Sequence, residues 1–280
     1  MRKNLLKLFT LAMVALSCLA AGCGDKGKAE KKGLSGVIAT NGSTSMEKVI
    51  GILSESFMEK NKQVKITYDA TGSGTGIEAV ASGRCDIGLS SRDLKAKEKQ
   101  LGLTAQTLAR DGIAIIVNPA AKIDNLTVQQ VADIFSGKLT DWSAVDGREG
   151  SFACIGREAA SGTRDGFESI TKTKGKCKLA QELTSTGAVI EAVKNNPNAI
   201  GYASFASINA RSGVKMLTIE GVNCTPENIA QGTYKLQRPF NLIFVEGKKL
   251  SEQGEAFVKF MLSAEAADLI KKAGAVPVVK

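Results

Sequence analysis

Short apolar segments typical of β-strands alternate along this chain with longer segments of helical period, and this alternation limits the fold more than any other feature. The sequence predicts a helix over residues 46–60, where one face is apolar and carries Met46, Val49, Ile50, Leu53 and Phe57. The other predicted helices cover residues 77–82, 128–135, 163–170, 188–194, 252–262 and 264–273. The predicted strands cover residues 36–39, 64–68, 87–89, 112–118, 152–155, 199–202 and 238–244. Strands that alternate with helices favour an α/β fold, in which helices cover a parallel sheet.

Two of the predicted strands are expected to carry the chain between two lobes. The strand at 112–118 ends at Pro119 and precedes a new helical segment, so we place the first crossing there. The strand at 238–244 leads into the last two predicted helices, so it can return the chain to the first lobe. The expected lobes, joined by a two-strand hinge, are residues 34–113 with 241–280, and residues 114–240.

Residues 1–22 have the layout of an export signal, with basic residues, then an apolar run at 8–19, then three small residues. The apolar run is shorter than the ~20 residues that a membrane-spanning helix needs. The small residues stand directly before Cys23 and resemble the lipobox at which bacterial lipoproteins are cut and acylated. We therefore expect a lipid on Cys23 at the outer face of the bacterial cytoplasmic membrane, with an uncleaved anchor as the alternative. Residues 23–33 are rich in Lys, Gly and Glu, and we expect them to form a flexible tether.

The sequence contains no histidine, which excludes Ser-His-Asp and Cys-His nucleophile pairs and every metal site that needs histidine. Beyond the predicted signal and Cys23, four cysteines remain: Cys85, Cys154, Cys177 and Cys224. Their spacing lacks the C-x-x-C pairs of a zinc ribbon, so burial or a disulfide is favoured over a metal site. The sequence leaves the pairing open. We expect no catalytic residue, no metal and no cofactor.

The chain carries 37 Lys and Arg residues against 28 Asp and Glu, a formal charge of +9. A positive field favours the approach of an anion, although an ordinary basic surface has the same composition. Aromatic residues make up 5% of the chain, which gives little support to nucleic-acid binding by base stacking. We expect no nucleic-acid partner.

Three loops share one arrangement: each follows a predicted strand, is rich in Gly, Ser and Thr, and opens a predicted helix. They cover residues 42–45, 72–76 and 161–163. A helix start has unpaired N–H groups and a partial positive charge, so it suits an anion, whereas ordinary N-capping explains any one loop equally well. The G-x-G-x-x-G nucleotide fingerprint fails because residue 77 is Ile. Three such loops together predict a site that binds an oxyanion.

Arg157 stands at the end of a predicted strand, four residues before the Ser161-Gly162-Thr163 helix start. A guanidinium in this position can make a bidentate contact with an oxyanion that the helix start holds from another side. A surface arginine beside an ordinary cap is the alternative.

At these residues the chain resembles the phosphate-binding lipoproteins of ABC-type phosphate importers. The similarity rests on the 42–45 loop, the Gly72-Ser73-Gly74 turn, the Arg157 to Thr163 motif, and the segments 86–92, 135–142 and 199–204. The resemblance implies a two-lobed type II periplasmic-binding-protein fold that closes on inorganic phosphate without chemistry. It also implies a monomer that delivers phosphate to the transmembrane subunits of an ABC permease.

The resemblance assigns phosphate-binding roles residue by residue. On the side of the first lobe these are Thr44, Ser45, Ser73 and Ser91, and on the other side Arg157, Ser161, Gly162 and Thr163. Several family members have an aspartate where this chain has Ser91; there the carboxylate accepts the proton of hydrogen phosphate and repels sulfate. Ser91 supplies no such repulsion. Asp93, Glu158 or Asp165 could supply the acceptor, or could be a solvated charge or a partner of an arginine.

Three other functions stay open at this point. A binding protein for sulfate, molybdate or tungstate would use the same helix starts. A signalling or adhesive surface lipoprotein would keep the fold without anion affinity. A phosphatase is disfavoured because the chain lacks histidine.

Overall fold

The computed structural model describes residues 33–145 and 149–278. The predicted signal, Cys23 and all of the predicted tether except Gly33 lie outside the described residues. The strands are β1 Ser35–Gly42, β2 Gln63–Ala70, β3 Ile87–Ser90, β4 Leu103–Val117, β5 Asn125–Leu126, β6 Ala153–Arg157, β7 Gln181–Leu183, β8 Ala199–Ser204, β9 Lys215–Met216, β10 Thr218–Ile219, β11 Gln237–Val245 and β12 Val276–Pro277. The helices are α1 Glu47–Lys60, α2 Ser73–Ala81, α3 Ala96–Gln100, α4 Val128–Phe135, α5 Gly162–Thr171, α6 Thr186–Lys194, α7 Pro226–Ala230, α8 Glu252–Met261 and α9 Ala264–Lys272. Among the helices so described, none has the length and apolar character needed to cross a membrane.

One curled sheet runs through the described residues in the order β2-β1-β3-β11-β4-β8-β6-β7. Its two outer parts are parallel: β1 pairs with β2 and β3, and β6 pairs with β7 and β8. Its centre is antiparallel, where β11 joins β3 to β4 and β4 joins β8. The predicted α/β fold is confirmed, and the strands of each parallel part end at one edge of that part.

Strand β4 joins the two parts of the sheet. Its first residues pair with β11, from Leu103 opposite Val245 to Gly112 opposite Gln237. Its last residues, starting at Ile113, pair with β8 instead. The Ile113 N–H donates to Leu236 O at 2.7 Å, so the outgoing and returning strands are bonded at the point of crossing. These two adjacent strands form the two-strand hinge of the predicted fold class.

The apolar core divides at the same point. One cluster contains the buried face of α1 with β1, β3, β11 and the two C-terminal helices, including Ile38, Phe57, Phe240 and Phe257. A second cluster lies almost entirely within residues 113–236 and is built around Phe135, Trp142, Phe167 and Tyr202. A smaller cluster under α2 covers the other face of the first part of the sheet. The boundaries 34–113, 114–240 and 241–280 stay predictions; Ile113 packs in the second cluster and Phe240 in the first.

Most predicted elements are found, and the differences have local causes. The helix at 128–135 is confirmed at both ends, where Thr127 caps it. The prediction that residues 72–76 form a loop is wrong for residues 73–76, because α2 begins at Ser73. Glycine disfavours helices, but a Cβ at Gly76 would lie 2.4 Å from Asn41 O, so the close packing of α2 on β1 requires glycine there.

Candidate functional site

Four helical segments begin where parallel strands end, and their first residues meet. After β1 the chain forms a 3₁₀ turn, Thr44–Met46, that leads into α1, and α2 follows β2. On the other part of the sheet, α5 follows β6 and α6 follows β7. The carboxyl edge of a parallel sheet is where α/β proteins place ligands, because successive helix starts converge there.

Hydroxyl groups from the two parts of the sheet contact each other at this edge. Ser45 Oγ lies 2.9 Å from Thr163 Oγ1 and 3.1 Å from Thr186 Oγ1. Thr44 Oγ1 also lies 3.1 Å from Thr186 Oγ1. All four side chains are buried. The arrangement concentrates neutral hydrogen-bond donors, which can surround an anion without adding charge.

Arg157, at the end of β6, is buried beside these hydroxyls with 2% of its surface exposed. Two backbone carbonyls fix its guanidinium: Nε donates to Leu183 O at 2.9 Å and Nη2 to Thr184 O at 2.8 Å. Nη1 donates to Thr44 Oγ1 at 3.0 Å, so the group faces the hydroxyl cluster. The alternative of a surface arginine is therefore wrong, and the site contains a fixed positive charge.

A second set of hydroxyls lies at the start of α2. The Ser91 N–H donates to Ser73 Oγ at 3.0 Å, and Ser43 Oγ donates to Ser91 Oγ at 2.8 Å. Ser73 and Ser91 are fully buried. A Cβ on Gly162 would lie 2.4 Å from Ser73 Oγ and 2.6 Å from Ser91 Oγ. Only glycine allows the start of α5 to approach α2 this closely.

The structure thus brings together seven of the eight predicted binding residues: Thr44, Ser45, Ser73, Ser91, Arg157, Gly162 and Thr163. Ser161 is buried beside them, but its hydroxyl caps α5 by accepting from Arg164 N at 3.3 Å. For this side chain the N-cap interpretation is the one that the hydrogen bonding supports.

Sequence reasoning missed two residues at this site. Thr186 is the first residue of α6. The sequence feature that could have identified it is Ser185, the N-cap residue directly before it. Arg238, on β11, donates from Nη1 to Ser91 Oγ at 3.2 Å and from Nη2 to Asp111 Oδ2 at 3.0 Å. Burial raises the pKa of the Asp111 carboxyl, and the Arg238 guanidinium opposes that rise. The available signal for this pair was a charged residue next to an apolar segment in each strand, with Asp111 just before residues 112–117 of β4 and Arg238 near the start of β11.

The three carboxylates considered as replacement acceptors have different surroundings. Glu158 Oε1 accepts from Arg157 Nη2 at 2.9 Å, while its Oε2 is buried and has no hydrogen-bond partner among the described residues. Asp165 pairs with Lys95 at 3.2 Å, between α5 and the residue that precedes α3. Asp93 is exposed and accepts from Asn241 Nδ2 at 3.4 Å. Glu158 is therefore an arginine partner that retains one unused oxygen.

The cysteines of the described residues are thiols. Burial raises the pKa of Cys85 to about 11 and that of Cys154 to about 12. Within residues 33–145 and 149–278 the structure has no group of three Cys, Asp or Glu side chains that could hold a metal ion. The sequence left open whether these cysteines are buried or form disulfides, and free thiols fit burial.

The sequence of this chain is similar to a known protein family and to named relatives. Residues 27–265 match the family model of the PBP superfamily domain. The phosphate-binding protein PstS of Bacillus subtilis is 32% identical over 252 residues, which cover 84% of this chain and 82% of that protein. The PstS of Borreliella burgdorferi is 28% identical over 249 residues, covering 85% and 88%.

Solved structures agree with the sequence relatives. A putative phosphate ABC transporter substrate-binding protein from Clostridium perfringens, with bound phosphate, superposes with a TM-score of 0.83 at 35% identity and covers 87% of this chain and 100% of its own. An ABC-type phosphate transport receptor from Vibrio cholerae gives a TM-score of 0.70 at 32% identity, with coverage of 86% and 100%.

Proposed function

Because the chain belongs to the PstS family of phosphate-binding proteins within the PBP superfamily, we propose that it binds inorganic phosphate and delivers it to the membrane subunits of an ABC importer. The buried Arg157 guanidinium, whose Nη1 donates to the hydroxyls of Thr44 and Thr186 at two of the four helix starts, is the observation that carries this proposal. The Arg157 guanidinium and many neutral donors fit a small tetrahedral anion, and the low local dielectric makes each hydrogen bond stronger than it is in water.

We propose that binding closes two lobes, residues 34–113 with 241–280 and residues 114–240, about the hinge of β4 and β11. The hydrogen bond between Ser45 and Thr163 and the one from Gly74 N to Ala160 O at 2.9 Å support this, since each joins the two parts of the sheet. Closure around the anion excludes water and lets donors from both lobes contact the same ligand.

The chain is further proposed to act as a monomer, anchored by a lipid on Cys23 at the outer face of the cytoplasmic membrane. The lipobox-like sequence before Cys23 supports the anchor. We also propose that the protein performs no catalysis, which fits both its substrate-binding relatives and a site of hydroxyls and arginine that has no histidine to act as a base.

Calorimetric titration with phosphate tests the function. The full-length protein is purified in detergent, freed of bound anion by dialysis against a phosphate-consuming enzyme, and titrated at pH 7.5. We expect one phosphate per chain. Absence of heat and of any shift in melting temperature with phosphate would refute the proposal and favour a surface protein that only shares the fold. Hydrolysis of a chromogenic phosphate ester would instead indicate a phosphatase.

A further inference from the structure

The segment between α5 and β7 is densely basic. We call residues 172–178 the lysine loop; it contains no acidic residue, and its lysines are Lys172, Lys174, Lys176 and Lys178. All four side chains are exposed. Among the described residues only Lys174 has an acidic partner, Asp165 at 4.0 Å, and Asp165 lies closer to Lys95, at 3.2 Å. The loop is therefore a patch of positive charge that the protein itself leaves mostly unneutralised.

The uncharged residues of the lysine loop hold it against α5. Thr173 N donates to Glu168 O at 2.9 Å, and Gly175 N donates to Glu168 Oε2 at 3.4 Å. Thr173 Oγ1 lies 2.7 Å from Thr171 Oγ1 and accepts from Cys177 Sγ at 3.3 Å. Thr173 is buried and Cys177 is half-buried. Because these side chains turn toward the protein, the lysines project from the outer side of a loop with a fixed backbone.

The lysine loop and the start of β1 lie at opposite ends of the described molecule. Helix α5 begins at the carboxyl edge of its part of the sheet, and the loop joins its last turn to the first residue of β7, which is parallel to β6. The loop therefore lies at the amino edge. Strand β1 likewise starts at the amino edge of the other part, at Ser35. The two carboxyl edges meet at the hydroxyl cluster, so the two amino edges face away from each other.

We propose that the lysine loop binds anionic phospholipid headgroups and forms a second, reversible membrane contact at the end of the molecule opposite to the lipid anchor. The inference rests on the proposed anchor at Cys23. Residues 23–33 span at most about 40 Å when fully extended, which keeps the membrane near but does not fix the orientation of the protein. A second contact at the other end holds both lobes along the membrane surface, where the permease lies.

The composition of the loop favours a lipid surface over other polyanions. Each lysine near an anionic membrane contributes about 1 kcal/mol of attraction. The loop has no aromatic side chain on which a base could stack and no arginine to grip one phosphate with two hydrogen bonds. Binding that depends only on charge density fits a surface of many headgroups. It is also screened by salt, so the contact is reversible.

Lysine footprinting on vesicles tests the proposal. Full-length protein is reconstituted into phosphatidylcholine vesicles with or without phosphatidylglycerol, and acetylation of each lysine by a water-soluble reagent is followed by mass spectrometry. With phosphatidylglycerol and low salt, the four loop lysines should react at least about fivefold more slowly than on phosphatidylcholine alone. High salt should remove this protection. Equal rates on the two kinds of vesicle, or protection that persists in high salt, would overturn the inference.

A variant with the four loop lysines changed to Gln tests the loop itself, with Lys138 as the reporter. Lys138 follows Gly137, where a Cβ would lie 2.7 Å from Lys178 Cδ, so it lies beside the loop. Its protection on phosphatidylglycerol vesicles should disappear in this variant. The matched control changes four exposed lysines outside the loop to Gln and should keep the protection: Lys62, Lys65, Lys248 and Lys249. Both variants should bind phosphate as the wild type does, which also shows that they fold. Loss of protection in both variants would assign it to net charge and sink the inference.

Failure of the anchor and failure of the inference give different results. Protein that does not float with phosphatidylcholine vesicles lacks a working anchor. The inference then predicts that it still floats with phosphatidylglycerol vesicles in low salt and that the loop variant does not. Wild-type protein that binds phosphate and floats with both vesicles, but whose loop lysines react equally on them, leaves the proposed function intact and overturns the inference.

Discussion

Arg157 is held by protein groups on one side and faces the hydroxyl cluster on the other. Leu183 O and Thr184 O fix Nε and Nη2, so the position of Nη1 does not depend on a ligand. Arg157→Ala should therefore weaken phosphate binding by about 1.5 to 3 kcal/mol, the range for hydrogen bonds to charged groups. Calorimetry of the wild type and the variant measures this difference.

Arg84→Ala is the matched control for Arg157→Ala. Arg84 is exposed and pairs with Glu78 at 3.4 Å on the surface of α2, so its loss should leave phosphate affinity within about 0.5 kcal/mol of the wild type. Equal affinities for Arg157→Ala and the wild type would remove Arg157 from the site.

Some residues of the site could be identified from the sequence and others could not. Thr44, Ser45 and Thr163 were found because Ser and Thr at a helix start carry a local signal. Arg238 was missed because its partners are distant in the chain: Asp111 lies 127 residues away and Ser91 lies 147. No local pattern records such pairs; only the crossing of β4 and β11 brings them together.

At the scale of elements, the approach of α5 to α2 depends on Gly162. A Cβ there would meet Ser73 Oγ at 2.4 Å and Ser91 Oγ at 2.6 Å, contacts that exist only when the two helix starts are together. Gly162→Ala should weaken phosphate binding at least about tenfold while the melting temperature without phosphate changes by only a few degrees. Calorimetry and thermal unfolding measure the two quantities.

Gly187→Ala is a close control, since Gly187 lies in the first turn of α6 and a Cβ there meets nothing within 4 Å. Its phosphate affinity should equal that of the wild type. If Gly162→Ala also binds normally, the close approach of α5 and α2 is not needed for binding.

Glu98, on helix α3, forms hydrogen bonds with the segment that follows β3. Its carboxylate accepts from Arg92 Nη2 at 2.6 Å and from Lys95 N at 2.7 Å. Burial alone would raise the pKa of Glu98, but these hydrogen bonds outweigh it and lower the pKa below its ordinary value of 4.5. Because the folded-state pKa is lowered, the stabilisation is present above pH 4.5 and is lost as the pH falls through the folded-state value.

Glu98→Gln should therefore reduce the free energy of unfolding at pH 7, and the difference from the wild type should shrink toward pH 3. Urea unfolding at both values measures it. Glu255→Gln, in the first turn of α8, serves as a control. A difference for Glu98→Gln that is the same at pH 7 and pH 3 would contradict the role given to its charge.

The bounds of a helix were predicted correctly where the apolar periodicity and the capping residue indicated the same start. Helix α4 has both an apolar face and the Thr127 cap, and its ends were predicted correctly. Helix α2 was predicted to start too late because Gly74 and Gly76 lie inside it, and glycine signals a loop. Packing against β1 requires glycine at residue 76, whereas Gly74 lies against Ala160 on the other side of the cleft. Packing between segments that are distant in the chain has no local signature.

For the whole molecule, the proposed closure can be locked by a disulfide. A Cβ on Gly74 would lie 3.5 Å from the Ala160 Cβ, within the spacing of about 3.5 to 4.5 Å found in disulfides. In the oxidised variant Gly74→Cys/Ala160→Cys, bound phosphate should dissociate at least about 100-fold more slowly than from the wild type, because the lobes cannot separate. Stopped-flow measurement of phosphate release follows this rate.

Reduction of the same variant provides its control. Dithiothreitol should restore release close to the wild-type rate, and each single cysteine variant should release phosphate normally with or without it. A cross-linked protein that still releases phosphate at the wild-type rate would show that the anion leaves without separation of α2 from the start of α5.

The division of the core at β4 and β11 also has a consequence for the order in which the chain folds. The second cluster lies almost entirely in one continuous stretch, 113–236, and can form from its own residues. The first cluster joins residues from β1 to the C-terminal helices, so it lacks many of its partners until the C-terminal segment has been synthesised. Until then the apolar face of α1 lacks α8 and α9, which pack against it, so this incomplete cluster is where chaperones and proteases would meet the chain.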